Sequence, residues 1–214
     1  VGAELDAAIN ADPSHAPAYS LRGEWRTVAR GQPADALADL RKGAALAPGD
    51  LRASYALARY LDFYRRQNPA AKAEVEGELR PLLESLRQRA TSAPAWNFLA
   101  LVDARDGQLE RALASARKAV AADPSCFECY NTIALVLHRL GRLDEAVAAQ
   151  RTGVQLMPEG VAEPGMVDQL VALKRDLAAR AAPGAPTRAT PANATPSEPP
   201  PAAPKPTPPS DSTM

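Results

Sequence analysis

Apolar residues recur along most of this chain at the three- and four-residue spacing of amphipathic helices, and the pattern itself repeats. Residues 93–126 align with residues 127–160 at an offset of 34 positions. Because each copy has helical spacing and is broken once by glycine, we predict two helices per copy. The matched pairs are Trp96 with Tyr130, Asn97 with Asn131, Leu99 with Ile133, Ala100 with Ala134, Leu101 with Leu135, Arg105 with Arg139, Gly107 with Gly141, Leu109 with Leu143, Ala112 with Ala146, Val120 with Val154 and Pro124 with Pro158.

These shared positions are typical of the tetratricopeptide repeat (TPR), whose period is 34 residues. The chain therefore resembles a TPR protein. The resemblance implies an all-α fold in which TPR helical hairpins stack into a solenoid, a right-handed superhelix. Stacking is needed because one hairpin cannot bury its own apolar face. The resemblance also implies a concave groove, lined by the first helix of each hairpin, of the kind that binds other proteins.

Weaker copies of the pattern divide the rest of the chain. The first residues match the second half of a repeat, so we expect the natural protein to extend further towards the N-terminus. The predicted organisation is residues 1–15 as the second helix of a truncated repeat, 16–50 as a divergent TPR whose first helix ends at Gly31, 51–92 as an extended hairpin interrupted near Gln67-Asn68-Pro69, 93–126 and 127–160 as regular TPRs, 161–182 as a cap helix, and 183–214 as a disordered tail rich in proline, alanine and threonine.

Single residues predict where helices begin, bend and end. Gly107 and Gly141 can adopt the left-handed conformation that ends a helix. Ser125 and Glu128 have the spacing of a capping box at the start of the next helix. Pro81 falls inside a helix of the extended hairpin and predicts a kink there.

The packing of the last helices can also be predicted. Ala116 and Gln150 stand where the TPR family prefers a large aromatic side chain. We therefore expect a closer helix approach at Ala116 and a partly wetted joint at Gln150. The apolar face of the cap helix is predicted to consist of Val167, Leu170, Val171, Leu173 and Leu177, with Lys174, Arg175 and Asp176 on the opposite side.

Composition narrows the range of partners. The chain contains 25 Lys and Arg residues against 25 Asp and Glu residues, so nothing favours binding to nucleic acid or to an anionic membrane. No apolar run approaches the roughly 18 residues that a membrane-spanning helix needs, so we expect no membrane insertion. The remaining partner class is a protein or peptide; the oligomeric state stays open.

Six residues on the predicted inner helices are candidates for partner binding. They combine amide, apolar and cationic side chains four residues apart, and amides can hold a peptide backbone. The alternative is that these pairs match only because the repeats were duplicated; the arginines also favour a helix C-terminus. TPR proteins that clamp a chaperone's C-terminal carboxylate need asparagine where this chain has Leu101 and Leu135, and lysine at inner positions that lack it here, so we do not predict that activity. The candidates are Asn97, Leu101, Arg105, Asn131, Leu135 and His138.

The two cysteines, Cys126 and Cys129, are a candidate redox or disulfide pair. Both fall in the predicted first turn of a helix, where the helix dipole lowers thiol pKa values. Glu128 opposes thiolate formation, and a zinc site would need two more ligands. A structural or incidental role, a local disulfide, and a redox or metal function therefore all stay open. The spacing suits reducing or oxidising surroundings, so a bacterial cytoplasm or periplasm fits equally well.

No catalytic motif or cofactor-binding sequence is present, and His15 and His138 have no partner arrangement that indicates catalysis. We therefore predict no enzyme activity, no cofactor and no metal site. The sequence favours a protein–protein interaction scaffold that binds a peptide or helix of a partner in its concave groove. The alternative is a regulatory or substrate-docking TPR segment of a larger bacterial enzyme, such as a serine/threonine kinase or a glycosyltransferase. The mid-repeat start favours this alternative.

Overall fold

The computed structural model describes residues 1–29, 33–158 and 164–181, and within these ranges all regular secondary structure is helical. This confirms the predicted all-α class. Gly31 and the predicted tail lie outside the described residues. The helices are α1 (Gly2–Ala11), α2 (Ala16–Ala29), α3 (Pro33–Leu46), α4 (Leu51–Gln67), α5 (Lys72–Arg89), α6 (Ala93–Arg105), α7 (Leu109–Ala122), α8 (Phe127–Arg139), α9 (Leu143–Leu156) and α10 (Pro164–Ala181), with a short 3-10 helix at Pro69–Ala71.

The chain divides into two compact units, Val1–Ala90 and Thr91–Met214. The first contains α1 to α5 and the second contains α6 to α10. Within each unit, consecutive helices pair as hairpins: α2 with α3, α4 with α5, α6 with α7, and α8 with α9. The repeat boundaries proposed from sequence stay a prediction, although the helix pairs follow the same order.

Buried ion pairs join the helices of the first unit. Asp39 of α3 is almost fully buried and accepts hydrogen bonds from Arg22 and Arg26 of α2. The hydrogen bond that Arg22 donates to Asp39 raises the pKa of Arg22 above its ordinary value. Arg65 of α4 is buried between Asp62 and Glu76, which accept its hydrogen bonds. Removing one partner from such a pair would leave an uncompensated buried charge, so these contacts fix the pairing of the hairpins.

Small and apolar side chains form the core of the second unit. The helices approach closely because alanine occupies many of the contact positions. Gly107 and Gly141 adopt positive φ values of 80° and 77°, which confirms that they end α6 and α8 in the left-handed conformation. Fully buried members of this core are Leu99, Ala100, Ala112, Ala116, Ala119, Val120, Tyr130, Ala134, Val136 and Ala146.

The predicted capping box at the start of α8 is wrong. The N-cap residue is Cys126, and its sulfur accepts the backbone N–H of Cys129 at 3.3 Å. Ser125 is engaged one residue earlier, where its hydroxyl and its N–H both donate to Asp123 Oδ1 at 2.6 and 2.9 Å. The aspartate turn thus uses the serine that the capping box would need.

The predicted apolar face of α10 is wrong in part. Met166 and Leu173 are buried, whereas Val167 and Val171 are 44% and 62% exposed. The buried stripe of α10 is therefore rotated relative to the predicted one. Gly153 of α9 makes room for this arrangement, because a Cβ atom there would lie only 2.9 Å from the Met166 side chain.

The expected wetted joint at Gln150 is also wrong. Gln150 is completely buried, and its amide nitrogen donates to the Met166 carbonyl oxygen at 2.9 Å. The side chain therefore connects α9 directly to the first turn of α10. Two other expectations agree with the structure: α4 ends at Gln67, and Pro81 lies inside α5.

Candidate functional site

The first helices of the two regular repeats, α6 and α8, contact each other. They present Asn97 and Asn131 at equivalent positions, and both side chains are half-buried. Each amide oxygen is buried, and no described residue donates a hydrogen bond to it. An unsatisfied buried acceptor costs roughly 1–3 kcal/mol, so each of the two matched amides would be stabilised by a hydrogen-bond donor.

Leu101 and Leu135 lie one helical turn after the asparagines on the same two helices, and both are half-buried. Side chains four residues apart share one face of a helix. The structure thus places an acceptor and an apolar side chain in the same order on α6 and on α8. We name the surface of Asn97, Leu101, Asn131 and Leu135 the amide–leucine face.

The three cationic candidates have contacts within the protein. The Arg139 guanidinium donates to the carbonyl oxygen of Ala104, near the end of α6. Arg105 is exposed and also has an interaction partner. His138 Nε2 lies 3.2 Å from Asp176 Oδ2 on α10. These side chains have partners inside the chain, and their role in partner binding stays a prediction.

The structure joins Cys126 and Cys129 in a disulfide, with Cα atoms 5.3 Å apart. Cys129 is completely buried and Cys126 is half-buried at the start of α8. This arrangement corresponds to the local-disulfide alternative; the redox role stays a prediction. Within residues 1–29, 33–158 and 164–181, no group of three or more metal-ligating side chains occurs.

A second exposed surface, on α4, is absent from the candidates that the sequence suggested. Arg52, Arg59, Phe63 and Arg66 are exposed and Tyr55 is half-buried, whereas most other residues of α4 are buried. The sequence contains the pattern of this surface, because these five residues follow helical spacing. The pattern is hard to recognise because the leucines and alanines of the core lie between them in the same segment.

None of the helices in the described part of the chain combines the length and the apolar character needed to cross a membrane.

Comparison with known proteins identifies the fold. The family model for the tetratricopeptide repeat matches residues 93–126 and 127–159. No curated protein sequence matches the chain. At identities of 17–22%, the solved structures below show the shared fold alone.

Three solved structures illustrate the likeness. TTC0263, a thermophilic TPR protein in Thermus thermophilus, is 22% identical with a TM-score of 0.63, covering 81% of this chain and 87% of that one. YrrB, a TPR protein with an unusual peptide-binding site, is 17% identical with a TM-score of 0.56, covering 81% of each chain. MamA from Desulfovibrio magneticus RS-1 is 20% identical with a TM-score of 0.56, covering 71% and 81%. The family match shows that residues 93–159 form two tetratricopeptide repeats, and the solved structures show that the chain shares the helical fold of tetratricopeptide-repeat proteins.

Proposed function

We propose that the chain is a protein–protein interaction scaffold and that its amide–leucine face binds an extended segment of a partner. The observation that carries the proposal is the pair of buried amide oxygens on Asn97 and Asn131 that no described residue satisfies. Because both asparagine side chains are half-buried, a small rotation would bring each amide oxygen to the surface, where an N–H of a bound peptide backbone can donate to it.

The two leucines complete the chemistry of this face. Leu101 and Leu135 would contact apolar side chains of the bound segment, while the amides hold its backbone. Backbone contacts give affinity with little sequence preference, and apolar contacts add selectivity. The peptide-binding site of YrrB supports the proposal by analogy, since that protein shares this fold.

A scaffold role also agrees with the family, whose repeats generally present binding surfaces rather than catalytic centres. The role of a regulatory or substrate-docking segment of a larger enzyme stays a prediction. Both roles would use the same kind of surface, so the binding test below applies to each.

The first test is peptide binding to the full chain. Peptides selected from a displayed random library on the wild-type chain would be labelled and titrated against the double variant Asn97→Ala/Asn131→Ala. Losing two hydrogen bonds of about 1 kcal/mol each should weaken binding roughly thirtyfold. Gln155→Ala, which removes an exposed amide from α9, is the matched control and should bind as the wild type does.

A second variant tests the apolar contacts. Leu101→Glu/Leu135→Glu should abolish binding while the circular dichroism spectrum stays helical, because neither leucine is fully buried. Wild-type affinity in both folded double variants would place the peptide site on another surface.

A further inference from the structure

The exposed face of α4 carries a regular row of arginine and aromatic side chains. The row comprises Arg52, Tyr55, Arg59, Phe63 and Arg66, which we name the arginine–aromatic row. Its members follow steps of three and four residues, so they lie along one side of the helix. At a rise of about 1.5 Å per residue, successive arginines are separated by roughly 10 Å along the helix axis.

Two of the arginines are held against the aromatic rings. The Arg59 guanidinium carbon lies 5.4 Å from the Tyr55 ring centre, and that of Arg66 lies 5.8 Å from the Phe63 ring centre. Contacts of this kind order a long side chain before any ligand arrives, so less conformational entropy is lost on binding. Phe63 is nonetheless 46% exposed, so its ring is accessible to a ligand.

The positive charge of the row is largely uncompensated within the unit. Among the described residues, no carboxylate forms an ion pair with Arg52 or Arg59. Asp62, the one acidic residue of α4, is buried against Arg65 and lies 3.3 Å from Arg66. Burial raises the pKa of Tyr55, Arg59 partly offsets this rise, and Glu24 of α2 is the surrounding acid near enough to raise that pKa slightly further.

We propose that the arginine–aromatic row binds an acidic protein segment in which carboxylates alternate with apolar residues. Guanidinium groups bind carboxylates through paired hydrogen bonds, and the exposed ring of Phe63 provides the apolar contact between them. The equal numbers of acidic and basic residues argue against a long polyanion, which would need a broader basic surface. This surface lies in the first unit and does not depend on the amide–leucine face.

The test uses the full chain and two fluorescent peptides. One consists of repeated Glu-Glu-Leu-Glu-Phe units, and the other has glutamine in place of every glutamate. The acidic peptide should bind, the glutamine peptide should not, and binding should weaken with added salt. Arg52→Glu/Arg59→Glu should reduce the affinity at least about tenfold, since two attractive contacts become repulsive.

Matched variants separate this surface from others. Arg80→Glu reverses an exposed charge on α5 of the same unit and should leave the affinity unchanged. Asn97→Ala/Asn131→Ala should also leave it unchanged, so failure here and failure of the amide–leucine face can be told apart. Phe63→Ser tests the apolar contact and should weaken binding without loss of helicity.

Three results would overturn the proposal. The first is no binding of the acidic peptide, and the second is equal binding by the wild type and the Arg52→Glu/Arg59→Glu variant. The third is displacement of the acidic peptide by labelled oligothymidylate at lower concentrations than the peptide itself needs, which would assign the row to single-stranded nucleic acid.

Discussion

Gln150 occupies a position that TPR proteins usually give to a large aromatic side chain. The sequence shows that this position departs from the family pattern. It does not show how the structure accommodates a glutamine in place of the aromatic ring. Gln150 is nonetheless buried: its amide oxygen has no hydrogen-bond partner among the described residues, and its amide nitrogen donates to the Met166 carbonyl at 2.9 Å. That partner lies on a separate helix, so no local pattern could predict it. This hydrogen bond is one of the polar contacts between the last hairpin and α10, beside the His138–Asp176 pair and the hydrogen bond from Arg180 to the Gly141 carbonyl.

Replacing Gln150 therefore tests how α10 is attached. Gln150→Ala should lower the free energy of unfolding by about 2 kcal/mol, because it removes a buried hydrogen bond and leaves a cavity. Urea unfolding monitored by circular dichroism would measure the change. Hydrogen exchange of α10 should accelerate as well, and Gln155→Ala, on the exposed side of α9, should change neither quantity. Unaltered exchange in α10 would show that its other contacts hold it in place without this hydrogen bond.

Among the structural elements, the turns between hairpins show how far a repeat pattern predicts geometry. Asp12 and Asp123 each precede a Pro-Ser pair, and each carboxylate accepts the serine N–H at 2.9 Å and its hydroxyl at 2.6 Å. The same three residues, Asp-Pro-Ser, thus form the same turn at both places, although the turn at Asp12 lies in a divergent part of the chain. The capping box failed at the same place, because a motif of two residues ignores competing partners nearby.

These turns predict a measurable titration. Hydrogen bonds from Ser125 lower the pKa of Asp123, and Ser14 does the same for Asp12. A lowered pKa means that the carboxylate stabilises the turn above the ordinary aspartate value of about 3.9, and that this stabilisation is lost as the pH falls through the folded pKa. Carbon-detected NMR should show Asp123 titrating below this value, and Ser125→Ala should return its pKa towards it while Asp12 stays unchanged. An Asp123 pKa that is the same in the wild type and in Ser125→Ala would show that the Ser125 hydroxyl does not lower it.

For the molecule as a whole, the helical class and the turns at Gly107 and Gly141 could be predicted from the sequence, because periodicity and glycine chemistry are local. The amide–leucine face was predicted as a set of residues, but the unsatisfied state of its two amide oxygens appears only in the folded structure. The sequence could not show which side chains among the cationic candidates and the arginine–aromatic row are available to a ligand. Their availability depends on partners that only the fold reveals, such as Ala104 for Arg139 and Asp62 for Arg66.

The proposed binding site spans α6 and α8 and holds a partner segment through Asn97 and Asn131. The most direct test records the side-chain amide resonances of the ¹⁵N-labelled chain with and without a selected peptide. We expect the Asn97 and Asn131 amide signals to shift on binding and the Gln155 signal to stay unchanged, because only the first two amides would gain hydrogen-bond partners. Peptide-dependent shifts confined to other surfaces, with both asparagine signals unmoved, would contradict it.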